Sequence, residues 1–350
     1  GVCPWSGCPV RLEAAALRGR PVYFRIVPVD PETKSHGLRE SPSTARAYLK
    51  ISVFLLLVTA AGLLARHNLL RGRGDRRGGL RLAWYMLVAY TLYWLLHGGR
   101  AARPPPWPVL IMGLEMAVFV AILLWLFYIA LEPFVRRLWP ETLVSWNRLL
   151  AGRWRDPLVG RDVLVGAAFG VVTKLLWQLA VLAPAWLGLG PARPTGPQPA
   201  PFGTSLRPLL GGRYCVAELF HCQMVAVAYG LTLLLMLLLL RVILRRQRLA
   251  AGVYIVYAAS LASFGEGYPL VSCPIAAAAS AIVVLLLTRF GLLAVVTYWL
   301  VRMLLSFPMT ANLSAWQAGG TTLLPLAAIL ALAVCGFYLT QAGRPLIRDT

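Results

Sequence analysis

The sequence predicts an all-α, polytopic transmembrane helix bundle, and three observations predict it. Hydrophobic residues make up 59% of the 350-residue chain, charged residues only 13%, and mean hydropathy is +0.68. A soluble domain carries about a quarter charged residues. Runs such as VAVAYGLTLLLMLLLL (Val225 to Leu240) and AAAASAIVVLLL (Ala276 to Leu287) approach the roughly 20 apolar residues that cross a bilayer. The runs do not alternate apolar with polar residues, as the strands of a membrane β-barrel would.

Residues 1–44 are mixed and polar. VYFRIVPV (Val22 to Val29) alternates partly in the manner of a strand, and PVDPETKSHG after it is loop-like. This stretch reads as the tail end of an extracytoplasmic soluble domain plus a linker, with residues 45–350 as the membrane domain. The start at Gly1, without a signal peptide's charged start and short apolar core, reads as a piece of a longer protein. About nine membrane segments follow, near 47–65, 80–96, 108–131, 163–187, 219–240, 250–264, 271–288, 291–307 and 322–340. The sixth and seventh are short. They read as two crossings, a re-entrant pair, or one broken helix around GEGYP, which gives eight to nine spans.

Between the third and fourth segments lies an interfacial stretch, about 132–162. Within it ETLVSWNRLLAG is predicted as a short helix lying in the interface. Trp139, Trp146 and Trp154 suit the aromatic belt at lipid headgroups. Asp156 and Asp162 are placed to pair with neighbouring arginines or to cap the next helix. The stretch 188–214 is rich in Pro and Gly, so it reads as an irregular outer loop.

Net charge is +21, from 34 Lys and Arg against 13 Asp and Glu. In a soluble protein that balance points to nucleic acid. Here the basic residues cluster between apolar runs and no nucleic-acid-binding fold accompanies them, so nucleic acid is not expected as a partner. They act instead as topology signals. Arg66, Arg71, Arg73, Arg76, Arg77 and Arg81 fill one connection; Arg136, Arg137, Arg148, Arg153, Arg155 and Arg161 the next alternate one; Arg241, Arg245, Arg246 and Arg248 another. Arg289, then Arg344 and Arg348, continue the series. The opposite connections hold only Arg100 and Arg103, then Arg193, Arg207 and Arg213. The richer set is expected on the cytoplasmic face, against anionic phospholipid headgroups. Residue 1 is then outside and the C-terminus cytoplasmic. Basic residues ahead of the first helix oppose this, but charges in a folded, translocated domain weigh little.

Ionisable groups inside a bilayer are costly and count as functional candidates. Here they are Glu115, Lys174, Glu218, His221, Glu266 and Arg302. In AELFHC, Glu218 and His221 are three apart on one helix face, with Cys222 adjacent. They are weak metal candidates, since further ligands are needed; Glu115, Cys215 and Glu266 are conceivable ones. The plainer reading is a helix start, with Glu218 favouring the positive end of the helix dipole. Glu115 is expected to pair with Lys174 or Arg302 inside the bundle, or to face a water-filled cavity. SFGEGYP (Ser263 to Pro269) is either a plain outer turn or a helix break lining a transporter cavity, and it lacks the strand, Lys and spacing of a phosphate loop. HExxH, GxSxG, HRD and DFG motifs are missing from the sequence, so no catalytic residue and no cofactor is assigned. Cys3 and Cys8 have the wrong spacing for a CxxC pair; they read as a disulfide in an outer domain or as two unrelated small residues.

Five blocks carry a resemblance: RLEAAALRGRPVYFRIV, ARHNLLRGRGDRRGGLRLA, LEPFVRRLWPETLVSWNRLLAGRWRDPLVGRD, FPMTANLSAW and ALAVCGFYLTQAGRPL. Together they resemble the C-terminal membrane portion of large bacterial serine/threonine protein kinases, of the kind common in acidobacteria. The resemblance covers almost the whole chain. It implies an upstream cytoplasmic kinase domain, one crossing, an extracytoplasmic domain, and then this bundle in the bacterial cytoplasmic membrane. That plan also requires residue 1 outside. The kinase's ATP-binding and catalytic residues are not in this chain, so none is carried over. CPWSGCPV and the Pro-rich outer loop depart from the family's pattern. Three functions are compatible with the sequence. The first is a non-catalytic membrane domain that anchors a receptor-like kinase and passes an outer signal inward by helix shifts, alone or as an oligomer. The second is a transporter or channel-like bundle using Glu115, Lys174, Glu218, His221 and Glu266. The third is an intramembrane enzyme with a metal at Glu218 and His221.

Overall fold

Backbone amides and carbonyls buried in hydrocarbon must satisfy one another within a segment, so the apolar runs become helices. The computed structural model describes residues 10–17, 20–28, 42–97, 107–188, 207–263 and 269–341. They open with an antiparallel hairpin of β1 (Val10–Leu17) and β2 (Arg20–Pro28), with Val10 opposite Pro28 and Leu12 opposite Ile26. One strand was expected at Val22 to Val29; its partner lies just upstream. Ten helices follow: α1 (Pro42–Leu70), α2 (Arg76–His97), α3 (Trp107–Leu138), α4 (Val144–Leu150), α5 (Pro157–Trp186), α6 (Gly212–Leu244), α7 (Gln247–Ser263), α8 (Pro269–Arg289), α9 (Leu292–Leu304) and α10 (Leu324–Thr340).

Every helix except α4 falls on one of the nine predicted segments. Six stretches are long and apolar enough to cross a membrane: Ala47–Leu70, Leu110–Leu138, Pro157–Pro184, Gly212–Leu244, Leu270–Arg289 and Gly319–Thr340. The chain is a multi-pass, all-α membrane protein. The other three helices fall short of that measure for different reasons. α2 begins with Arg76, Arg77 and Arg81. α7 has 17 residues. α9 has 13, or about 20 Å at 1.5 Å per residue, against a hydrocarbon core of about 30 Å.

α6 and α9 form the centre. Every residue of α9 except Leu300 is buried. In the most apolar window of α6, 44% of residues are buried, against 11% in α1. α1 and α3 instead turn Leu56, Leu63, Ile111, Met112 and Phe119 outward, where lipid tails are as apolar as a protein core. Lipid therefore gives helices no hydrophobic reason to associate, and close backbone approach has to hold them. Gly166 and Gly170 on α5 supply it toward α9. A Cβ on Gly170 would come 2.9 Å from the Tyr298 carbonyl oxygen. Gly230 on α6 makes room for Val296 and Leu292 from the other side. α10 lies on α5 where Gly160 meets Gly336; a Cβ on Gly160 would stand 2.7 Å from the Gly336 oxygen.

The connections gather at two ends. At the arginine-rich end Asn68 Nδ2 donates to the carbonyls of Ile129 (3.0 Å) and Ala130 (3.2 Å). Arg81 Nη1 donates to the Leu150 carbonyl at 2.9 Å, and Trp139 Nε1 to Gln247 Oε1 at 3.3 Å. Gly291, at φ +100°, packs directly under the Thr142 carbonyl, and Arg161 lies over the Phe290 ring at 5.6 Å. At the opposite end the 3-10 turn Arg207–Leu210 meets α6, and β2 packs against that turn.

The short helix expected within ETLVSWNRLLAG is present, and it packs into protein. The stretch forms a 3-10 turn (Pro140–Leu143) and α4, whose Leu143 and Trp146 join the main core. Trp146 is 4% exposed, whereas Trp154 stays at the surface at 52%. The cause is packing: α4 lies against α2, α5 and α9, so its apolar side has protein to meet rather than lipid. α7 and α8 are two separate helices on either side of 264–268. Those residues, with Glu266, and also Cys3, Cys8 and most of the predicted outer loop, lie outside the described residues.

Replacing Gly170 with Leu should lower unfolding stability in detergent by about 3 kcal/mol, because the added side chain overpacks the α5–α9 contact. Gly252 on α7 has open space around its Cβ position. Gly252→Ala should shift stability by no more than about 1 kcal/mol, upward, through helix propensity. Thermal or denaturant unfolding followed by circular dichroism reads both.

Candidate functional site

The ionisable and polar side chains collect at three levels. At the arginine-rich end Asp75 precedes α2 and accepts the Gly78 N–H at 2.9 Å, capping the helix. Its own N–H donates to Glu132 Oε2 at 3.2 Å. Glu132 is 3% exposed, and its other oxygen pairs with the Arg136 guanidinium, which reaches solvent. Tyr128 OH donates to Asn147 Oδ1 at 3.0 Å and lies 3.5 Å from Asp75 Oδ2. α3, α4 and the start of α2 are thus tied through a single polar network, and its buried carboxylate has both an amide and a cation.

α5 begins with a similar device. Asp156 stands before Pro157, the favoured first residue of a helix, and accepts the Leu158 N–H at 3.0 Å. Arg148 Nη1 donates to its other oxygen at 2.5 Å. That hydrogen bond holds the Asp156 carboxyl below the usual carboxylate value. Asp162, 1% exposed, takes two hydrogen bonds from Arg161, from Nε at 3.0 Å and Nη2 at 2.9 Å. Both aspartates therefore pair with arginines, as expected, and Asp156 also caps.

In the core, α9 stops inside the bundle. Its last carbonyls need partners, and the negative end of its dipole favours cations. Ser306 Oγ donates to the Arg302 carbonyl at 3.0 Å, and Lys174 Nζ from α5 donates to Ser306 Oγ at 2.9 Å. Arg302, 8% exposed, donates from Nη1 to Tyr298 OH at 3.0 Å and lies 5.4 Å from the Trp177 and Trp299 rings. Lys174 and Arg302 do come together, on facing helices. Glu115 does not join them. It is exposed on the α3 face that carries Met112, Met116 and Phe119, and α3 packs against α1, α2 and α6.

At the opposite end Glu218, 7% exposed, bonds His221 Nδ1 at 3.1 Å. Tyr93 stacks with two imidazoles, with ring centres 5.3 Å from His97 and 5.3 Å from His221. Arg207 Nη1 donates to Tyr93 OH at 3.0 Å. Cys215 Sγ donates to the Pro208 carbonyl at 3.2 Å. Cys222 is buried. Among the described residues no three His, Cys, Asp or Glu side chains gather as a metal would require. Glu218 and His221 bond each other instead.

No family model, no curated protein and no solved structure matches the chain.

Sequence reasoning missed Asn68, Asp75, Tyr128, Glu132, Tyr93 and His97. A lone Asp among the arginines of RGRGDRRGG was a usable signal for a capped, buried turn, as was the Glu132-Pro133 pair near the end of an apolar run. Tyr93 and His97 carried the four-residue helix spacing that stacks rings, but the His221 side of the stack comes from a distant helix.

Ser306→Ala should cost about 1 kcal/mol and Lys174→Met about 1–3 kcal/mol, with the double variant costing less than their sum because both act on one hydrogen-bonded unit. Denaturant unfolding of the four proteins gives the coupling. The Arg148–Asp156 contribution should follow the sign of its shift. A depressed carboxyl stabilises at neutral pH, and the gain disappears as pH falls through and below about 4. Its size is under about 1 kcal/mol for so open a pair. Asp156→Asn should flatten that part of the stability–pH curve.

Proposed function

We propose that the chain is the membrane-anchoring and signal-relaying domain of a receptor-like serine/threonine protein kinase. In this reading it crosses the bacterial cytoplasmic membrane nine times, with residue 1 outside and the C-terminus inside. α2 and α7 complete their crossings, and α9 with residues 305–318 crosses as a broken segment. The carrying observation is the gathering of alternate connections at one end. Residues 66–81, 132–162, 241–248 and 289–291 touch one another there through the Arg81–Leu150, Trp139–Gln247 and Thr142–Gly291 contacts. The end of α10 joins them beside Gly160. An odd number of passes is the simplest path that does this from a hairpin at the far end. The arginines of that end fit the cytoplasmic headgroup layer, where they meet anionic lipids.

Anchoring with signal relay is favoured over transport because the described ionisable side chains divide among three levels. The core level, with Lys174 and Arg302, ties α5 to α9 through Ser306, and each end level ties its own helices and turns. The broken path after α9, with Lys174 and Arg302 at its end, is the feature that favours a transporter as the second reading. Kinase output of the full-length parent protein, reconstituted in liposomes, separates the two. Glu115→Gln should leave protein level and kinase output unchanged, since Glu115 is exposed. Lost output at normal abundance would sink the anchoring reading. For topology, a cysteine placed at Arg73 should resist a membrane-impermeant maleimide in intact cells, and ready labelling would reverse the orientation.

A further inference from the structure

The ring stack on Tyr93 sits where three elements meet: the last turn of α2, the first turns of α6, and the 3-10 turn Arg207–Leu210. Both imidazoles stack on its ring, at interplanar angles of 21° and 26°. Tyr214 meets His97 edge-on at 5.7 Å. Arg213 lies over the Tyr214 ring at 4.6 Å and donates to its hydroxyl at 2.7 Å. Among the described residues, the charged groups acting on His97 are Arg207 from the turn and Glu218, His221 and Arg213 from α6. Tyr93, backed by Tyr90, faces it from its own helix. Cys215 lies beneath the turn. β2 packs on the turn as well.

The two histidines are not equivalent. His221 is bonded to the Glu218 carboxylate. Among the described residues His97 has no carboxylate bonded to it, and it stacks on the Tyr93 ring whose hydroxyl takes the Arg207 hydrogen bond. A proton on His97 adds a third positive charge beside Arg207 and Arg213 while the carboxylate is already committed. The imidazolium gains from the Tyr93 ring face and stays on it. Arg207 is the partner free to leave. It is exposed, belongs to a four-residue turn, and is held to α2 by a hydrogen bond to a hydroxyl.

We propose that the Tyr93 stack is a proton-responsive latch: a proton on His97 releases Arg207 from Tyr93, and with it the 3-10 turn and the β-hairpin packed on the turn. The latch is closed while His97 is neutral and opens as pH falls through its titration. This deepens the signal-relay reading, for in that topology the latch faces outside and acid there is the signal. The latch itself depends only on local geometry.

Hydrogen exchange read by mass spectrometry on the full chain in lipid nanodiscs tests it. Both faces are open to solvent there, so a wrong orientation does not affect the result. After correction for the intrinsic pH dependence of exchange, amides of residues 209–216 should lose about tenfold in protection between about pH 7.5 and about pH 5. The loss should vanish in His97→Gln and in His97→Phe, which keeps a ring on Tyr93 without a titrating nitrogen, and should persist in His221→Phe. An unchanged protection in the native chain overturns the latch. So does a pH response that survives in His97→Phe, which also covers the case in which His97→Gln fails to fold. Loss of the response in His221→Phe alone would move the switch to His221 and overturn the assignment as well.

Discussion

The close passage of α9 between α5 and α6 is the contact on which the rest of the bundle depends. Hydrocarbon solvates neither an amide nor a carbonyl, and it gives apolar side chains no reason to leave it. A helix buried in the middle of such a bundle must therefore be held by dispersion at short range, and only small residues let backbones come that close. Gly166, Gly170 and Gly230 make the slot that α9 fills. Gly160 and Gly336 repeat the device for α10.

Placing a 13-residue helix at the centre creates a second requirement. Its C-terminal carbonyls end inside protein, short of the far headgroups, and they must be met there. Ser306, Lys174 and Arg302 lie at that end. The same residues that look like transport chemistry in the sequence thus have a structural task imposed by the length of α9. Buried cations in this chain sit where a helix dipole and aromatic ring faces receive them.

The two ends of the bundle differ in kind. The arginine-rich end is cross-tied by Asn68, Asp75, Glu132, Arg136 and Asn147, with backbone groups as half of the partners. At the other end His221 holds the buried Glu218, and Arg207 of a short turn is bonded to Tyr93 by its side chain.

Much of this was legible in the chain. Apolar runs placed nine of the ten helices, six of them of membrane length, because a bilayer imposes a length and forbids charge along it. The arginine pattern grouped the connections that the structure brings to one end. Asp156 ahead of Pro157 announced a helix start. Pairing across helices was not legible. Glu115 read as a partner for Lys174 or Arg302 and instead faces outward on α3, because an apolar helix in lipid has no polar face by which the sequence could mark its buried side. Trp146 read as a headgroup residue and is in the core. Whether Glu218 and His221 would gather metal ligands or close on each other depended on which helices stood beside α6. Local sequence determined which segments are apolar helices and which connections share an end, since those follow from solvation of one segment at a time. The tertiary structure alone decided which charges meet and which face of each helix is inside, since those follow from close contacts between glycines and side chains far apart in the chain.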